Sequence, residues 1–212
     1  MRRSLCSILA AAALCVVTSS SASAASIFFF TDPFEGTTAL TTPGRQIVAN
    51  ELFVPVFNIL TDEFVFDPVI FGVSSLSFVN NTIGNIPTSG VNTIVLRTFD
   101  DDANTGTPFA AGNAANLIAA QLVSPGAGFF IYFNQGLDLP RLVFSTDLND
   151  NTSDLKILAR LQNLGGVNGQ NQLVNFEADN FRLQPVPEPG TLLLVSSAGA
   201  WFIRRRRRAR RA

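Results

Sequence analysis

Two apolar runs near the middle of the chain decide the fold: Phe129-Phe130-Ile131-Tyr132-Phe133 and Arg141-Leu142-Val143-Phe144-Ser145, separated by turn residues at 134–136. Aromatic and β-branched residues favour strands, whereas Asn and Gly favour turns. Runs of this kind recur between residues 26 and 184 at a spacing of roughly ten residues, which is typical of sandwiches and barrels. The sequence therefore predicts one mainly β domain, a β-sandwich, over residues 26–184.

Nine segments fit the strand pattern, and Gly, Pro, Asn or Asp lies between most of them. The predicted strands are residues 27–30, 52–60, 69–73, 76–79, 92–99, 129–133, 141–145, 155–161 and 176–183. In segment 155–161, apolar residues alternate with Lys156 and Arg160, which favours a strand. The alternative for this segment is a helix, because Ser153 is placed where it could cap one.

One segment has helical spacing instead. Ala114, Leu117, Ile118 and Leu122 recur at intervals of three and four residues, and Asn113 can cap the start. The sequence predicts one short helix over residues 110–123.

Composition excludes several kinds of chemistry. The chain has no His, and both cysteines, Cys6 and Cys15, lie near the N-terminus. Catalysis by Ser-His-Asp or Cys-His, and metal sites built from His and Cys, are therefore excluded from the remainder of the chain. Carboxylates are the main general bases left, but no two of them stand out as a catalytic pair. We expect no enzymatic activity, and a carboxylate-based hydrolase is the least favoured alternative.

Oxygen-bearing side chains alternate in one acidic loop, as they do in calcium-binding loops. The residues are Asp147, Asn149, Asn151 and Asp154. The loop is not an EF-hand, because Thr152 and Leu158 occupy the positions of the required Gly and Glu. The pattern makes calcium the candidate cofactor, and a solvated acidic turn is the alternative. Asp100-Asp101-Asp102 forms a second acidic cluster, for which a solvated loop is the simpler interpretation.

Charge is divided unevenly along the chain. Residues 26–184 contain six basic and fifteen acidic residues, a net charge of −9, whereas residues 185–212 carry +6. An acidic body does not suit the phosphate backbone of a nucleic acid, so we expect no nucleic-acid partner.

The N-terminus has the pattern of a secretory signal peptide over residues 1–24. Arg2 and Arg3 are followed by an apolar run and then by Ser and Ala, with cleavage expected after Ala24 or, as the alternative, after Ala25. The mature protein would then be exported without a disulfide, so that core burial or bound ions must stabilise it.

The C-terminus carries a second signal over residues 185–212. Pro187, Glu188 and Pro189 precede an apolar run at 191–203, and a basic cluster follows that consists of Arg204, Arg205, Arg206, Arg207 and Arg208. Basic residues beside an apolar helix stay in the cytoplasm, so the body is expected outside the inner membrane. Thirteen helical residues span about 20 Å, which is short for a hydrocarbon core of about 30 Å. A transient membrane intermediate is favoured over a permanent anchor.

This three-part ending resembles the PEP-CTERM sorting signal. The resemblance covers about 27 residues, and it implies that exosortase, a membrane transpeptidase of Gram-negative bacteria that make extracellular polysaccharide, is the partner. It further implies cleavage near Pro187, Glu188 and Pro189, and transfer to the cell surface or the extracellular matrix. We therefore expect an exported, non-enzymatic surface protein of such a bacterium, displayed in its biofilm among polysaccharide.

A second, shorter resemblance concerns the predicted domain. The ending at residues 176–183 resembles the closing strand of jelly-roll carbohydrate-binding modules, and Phe34-Glu35-Gly36 is similar to their opening. This resemblance implies that the sandwich is jelly-roll-like. In such modules an early Glu and a late Asp often share a structural calcium, which implies this role for Glu35 and Asp179. A calcium-assisted carbohydrate-binding module is therefore the alternative function.

Overall fold

The computed structural model describes residues 24–186, apart from residues 105 and 125. The predicted signal peptide up to residue 23 and the sorting signal from Pro187 onward, including Arg204 to Arg208, lie outside these residues. The described part is mainly β, as predicted, with ten strands in two sheets and two short α-helices. The strands and helices, in chain order, are β1 (Ser26–Phe29), β2 (Ile47–Val48), β3 (Leu52–Val54), β4 (Glu63–Phe66), β5 (Phe78–Asn81), β6 (Thr93–Leu96), α1 (Ala111–Gln121), β7 (Gly128–Asn134), β8 (Leu139–Ser145), β9 (Leu155–Leu161), α2 (Gly166–Gln172) and β10 (Phe181–Leu183).

The two sheets differ in size. The large sheet has the order β2-β9-β8-β7-β6-β5, and β3 also pairs with β9 along the edge that β2 occupies. The small sheet has the order β1-β4-β10, so β4 is its central strand.

Strand pairing departs from the jelly-roll prediction. Jelly rolls are antiparallel, whereas here only β7–β8 and β8–β9 are antiparallel and the other six described pairs are parallel. Parallel neighbours need a crossover connection, because the chain must return to the starting edge before the next strand begins. α1 forms such a connection between β6 and β7.

An aromatic core lies between the two sheets. Ten buried phenylalanines belong to it, and Phe66 of β4 stacks on Phe129 of β7 with their ring centroids 3.9 Å apart. Phe57 and Phe64 stack at 4.5 Å in the same core. These contacts join the small sheet to one face of the large sheet.

A second core covers the opposite face of the large sheet. There Ala114 and Ile118 of α1 pack with Phe130 and Tyr132 of β7, and all four side chains are fully buried. Asn113 accepts a hydrogen bond from the backbone N–H of Ala110 at 3.1 Å, which supports the start of α1 close to the predicted residue.

Local structure agrees best with the predictions where long apolar runs form strands. Segment 155–161 is a strand, which decides against the helical alternative. The predicted strand at 69–73 is instead a turn, because the Asp67 carboxylate accepts hydrogen bonds from the N–H groups of Val69 and Ile70 at 2.8 and 3.1 Å. The predicted strand at 52–60 is paired only over Leu52–Val54, since Pro55 has no N–H to donate.

Two strands and one α-helix of the described part were not predicted: β2, β4 and α2. The 3-10 helices Leu173–Asn175 and Ala178–Asn180 were not predicted either, and the second lies in the segment 176–183 that was predicted as a strand. β2 has two residues, too few for a periodic signal. β4 is short, and three of its four side chains are buried. Because side chains on both faces of this strand are buried, its sequence does not alternate between apolar and polar residues. α2 contains two glycines, which lower helix propensity.

Candidate functional site

The acidic loop that predicts calcium connects β8 to β9. Its Asp147 carboxylate accepts hydrogen bonds from the backbone N–H groups of Gly126 and Asn149, both at 2.9 Å. The side-chain amide of Asn149 donates to the carbonyl oxygen of Leu122. These bonds fasten the loop to the end of α1.

Asp154, at the end of the loop, is buried and has a structural role. One carboxylate oxygen accepts the N–H of Gln46 and the other accepts the N–H of Leu40, each at 2.6 Å. Asn151 is exposed, and it lines an open polar groove together with Asn149. One oxygen of Asp147 and both oxygens of Asp154 thus accept hydrogen bonds from backbone N–H groups, and calcium binding by this loop stays a prediction.

The second predicted calcium pair, Glu35 and Asp179, lines two different clefts. Asp179 borders a small cleft of about 130 Å³ with Asp62 and Glu177. Both Asp62 carboxylate oxygens accept backbone hydrogen bonds, from Ala25 and Asn58 at 2.9 Å. Glu35 borders a separate cleft, so the structure does not bring the pair to one site.

Within residues 24–186, three carboxylates come within 4.8 Å of one another at Asp100, Asp101 and Asp102. All three residues are exposed. Asp100 accepts the N–H groups of Asp102 and Ala103 at 3.0 Å, and Asp101 accepts the side-chain amide of Asn113 at 2.7 Å. The three carboxylates thus belong to a solvated turn, and the hydrogen bond from Asn113 to Asp101 connects this turn to the start of α1.

A cleft of about 280 Å³ opens between the two sheets, where β1 faces β3 and β9. Its base is apolar and includes the buried rings and chains of Phe71 and Leu158. Its rim is polar. The rim residues are Thr31, Asp32, Glu35, Asn50 and Lys156.

An aromatic ring borders the cleft on the β1 side. Phe28 is 51% exposed, although most phenylalanines of the domain are buried. It alternates with Ile27 and Phe29, which turn toward the aromatic core. Among the described residues, Phe53 is the other exposed phenylalanine, at 56%, and it does not line this cleft.

Lys156 is the cation of the cleft and the only Lys in the chain. Three ion pairs form in the described part of the chain, and none of them includes Lys156. Burial lowers the pKa of Lys156 below its usual 10.5, and the charge of Glu51 acts in the opposite direction. The sequence signal for this cleft is the single Lys of the chain, which lies in an acidic domain. That it forms no ion pair among the described residues is visible only in the structure.

Glu51 forms a buried ion-pair cluster close to the cleft. Its side chain is 5% exposed, and it binds Arg141 at 2.6 Å and also Arg160. The two arginines lie opposite each other on β8 and β9, so Glu51 separates two like charges. Arg160 also lies over the ring of Phe53, 4.8 Å from its centroid. Since the carboxylate of Glu51 is engaged by two arginines, Lys156 does not pair with it.

The end of the domain is held to the small sheet. The N–H of Gln184 donates to the carbonyl oxygen of Phe66 at 2.9 Å, and the N–H of Val186 donates to the Asp67 carboxylate at 2.9 Å. This second hydrogen bond is the main cause of a lowered pKa at Asp67. The chain is thus fastened up to the residue before Pro187.

No protein-family profile matches the sequence, and neither a curated protein nor a solved structure is similar to it at a significant level. Among the helices within residues 24–186, none has the length and apolar character needed to cross a membrane. The predicted sorting helix at 191–203 lies beyond these residues.

Proposed function

We propose that the protein is an exported, non-enzymatic surface or extracellular-matrix protein, which exosortase sorts through the C-terminal signal. The described β-domain is the part displayed outside the inner membrane, and the two sheets that enclose its aromatic core form a sandwich. Export precedes sorting, and the signal peptide up to Ala24 directs it.

The observation that supports this proposal best is how close the contacts of the described domain come to the predicted processing motif. Gln184 and Val186 donate hydrogen bonds to Phe66 and Asp67 at the end of β4, and Pro187 is the next residue in the sequence. Cleavage near Pro187, Glu188 and Pro189 would leave both cores and every hydrogen bond described within residues 24–186 in the released protein. A sorted protein has to stay folded after its signal is removed, and cleavage at this position meets that requirement.

Charge supports the proposed topology. The basic cluster from Arg204 to Arg208 keeps the end of the chain in the cytoplasm, whereas the body carries a net negative charge and has no comparable cluster of basic residues in its sequence. The inner membrane is then a temporary location, and cleavage before the apolar run releases the body to the surface.

A carbohydrate-binding role remains the second proposal, favoured by the cleft beside Phe28. Calcium assistance through the acidic loop with Asp147, Asn149, Asn151 and Asp154 belongs to this second proposal, and calorimetric titration with calcium tests it. If calcium causes neither a heat of binding nor a shift in melting temperature, calcium plays no part in this second proposal.

Replacement of Pro187, Glu188 and Pro189 by Ala tests sorting. We expect the variant to stay in the inner membrane with its arginine tail, whereas the parent is recovered outside it with a mass that ends near residues 187–189. Ser197→Ala changes the same tail outside the motif and serves as the control. An unchanged mass and location of the triple variant would overturn the proposal.

A further inference from the structure

We propose that the cleft between β1, β3 and β9 binds a sugar unit that carries a carboxylate, with Lys156 as the partner of that carboxylate and Phe28 as the surface for the sugar ring. The inference deepens the proposed surface role, because it names a ligand class for the displayed domain. It depends on three features of the cleft: its shape, its aromatic border and the distribution of its charges.

The shape suits a small molecule. About 280 Å³ is close to the lower end of the range for small-molecule pockets, and an apolar base with a few polar rim groups is their usual lining. Phe71 and Leu158 form that base and are almost fully buried. They belong to the same core that joins the two sheets, so the base is held rigidly from both sides.

The aromatic border suits a ring with an apolar face. Phe28 exposes half of its surface, and its ring packs against Phe30 with the centroids 5.2 Å apart. Phe28 is also one of the residues that line the cleft. The C–H face of a sugar ring covers an exposed aromatic ring, and water is released from both surfaces.

The charges of the cleft select a carboxylate at one end. Within residues 24–186, no described ion pair includes Lys156, and its ammonium is partly buried, so that it has lost part of its hydration. A ligand carboxylate would replace the lost hydration with a charge-assisted hydrogen bond. Glu51 does not compete, because two arginines already occupy it.

The remaining rim selects hydroxyl groups rather than a second charge. Thr31, Asp32, Glu35 and Asn50 are all exposed and are distributed along the rim. Asp32 already accepts the N–H of Phe34 at 2.9 Å. Exposed carboxylates do not need a cation, whereas each accepts hydrogen bonds readily. A polyhydroxylated ring can use several dispersed acceptors at once, which an amino acid with one ammonium group cannot.

Ligand binding to the full chain in mild detergent tests the proposal. Glucuronate, glucose and valine are titrated separately and followed by saturation-transfer NMR. Glucuronate and glucose share a ring and differ in the carboxylate, and valine has the carboxylate without the hydroxyl groups. We expect glucuronate to bind roughly tenfold or more tightly than either of the others, as a charge-assisted hydrogen bond implies. Equal binding of glucuronate and glucose, tighter binding of valine, or no binding of glucuronate would overturn the proposal.

Three variants identify the residues responsible. Lys156→Met keeps the length of the side chain and should weaken glucuronate binding about tenfold, to the level of glucose, whereas Lys156→Arg keeps the charge and most of the affinity. Phe28→Ala should weaken glucuronate and glucose alike. Val167→Ala removes an exposed apolar side chain of α2 and should change nothing. Equal affinities for the parent and Lys156→Met would contradict the role of the ammonium. These titrations do not involve sorting, so their failure leaves the result of the Pro187–Pro189 replacement unaffected.

Discussion

The two faces of the large sheet are covered in different ways, although the same strands supply both. One face presents Phe129, Ile131 and Phe133 of β7 to the small sheet, and the other presents Phe130 and Tyr132 to α1. Between two sheets a gap of about 10 Å must be filled, and large aromatic side chains fill it. Under α1 the helix supplies Ala at several contact positions, so it can approach closely.

The two faces of the large sheet are therefore stabilised by different interactions. The face toward the small sheet depends on the apolar area of interlocking phenylalanine rings. The face toward α1 carries a polar group as well, because Arg141 of β8 projects from the same side as Val143 and pairs with Glu51. Substitutions on the two faces should therefore differ in size and in their response to pH.

The largest effect is expected for Phe66→Ala. Phe66 is fully buried and contacts the rings of Phe29, Phe71 and Phe129, so its loss leaves a cavity between the two sheets. The free energy of unfolding should fall by about 3–5 kcal/mol, as measured by denaturant titration. Phe53→Ala, at a ring that is 56% exposed, is the matched control and should cost far less. Similar losses in the two variants would show that the sheets are not held together by this ring.

A smaller effect is expected for Glu51→Gln on the other face. Removal of the charge leaves Arg141 and Arg160 opposite each other with their side chains only 13% and 24% exposed. The free energy of unfolding should fall by about 2 kcal/mol, since a buried pair loses one partner. Glu63→Gln is the matched control, because its partner Arg182 is 45% exposed, and it should cost less than about 1 kcal/mol. Equal costs would mean that burial adds nothing to the Glu51 cluster.

The smallest effect on stability is expected from the charge of Asp67, which accepts the N–H of Val186 near the end of the described residues. The hydrogen bond from the N–H of Val186 lowers the pKa of Asp67 below its ordinary 3.8, and the N–H groups of Val69 and Ile70 act in the same direction. A carboxyl with a lowered pKa in the folded state stabilises the protein above its unfolded-state pKa. That contribution is lost as the pH falls through the folded-state value.

Asp67→Asn isolates this contribution to stability. Compared with the parent, the variant should melt at a lower temperature at pH 7, and the gap should narrow as the pH falls below about 4. Glu63 and Asp150 also have lowered pKa values, but they are present in both proteins and cancel in the difference. A gap that stays constant from pH 7 to pH 2 would contradict the assigned role of the Asp67 charge.

Local patterns predicted the elements whose burial follows from their own sequence. β7, β8, β9 and α1 lie where long apolar runs or helical spacing placed them. Pairing was not predictable in the same way, because Phe181 lies beside Phe64, and no local signal connects two segments so distant in sequence. The mixed, mostly parallel pairing follows from such long-range neighbours.

In the candidate site, too, the local pattern was predictable and the long-range contacts were not. The alternation of Asp147, Asn149, Asn151 and Asp154 was visible, but their partners were not, since Leu40, Gln46 and Gly126 come from other segments. The cleft was missed because its lining is collected from β1, the following turn, β3 and β9.

Composition and local periodicity are enough to establish the mainly β character, the lack of histidine chemistry and the separation of an acidic body from a basic tail. They do not show that Phe28 and Phe53 stay exposed, or that Lys156 forms no ion pair among the described residues. The burial and pairing of a side chain depend on segments far away in the sequence. Phe28 and Lys156 therefore became a candidate site only when β1 and β9 were brought to opposite sides of one cleft.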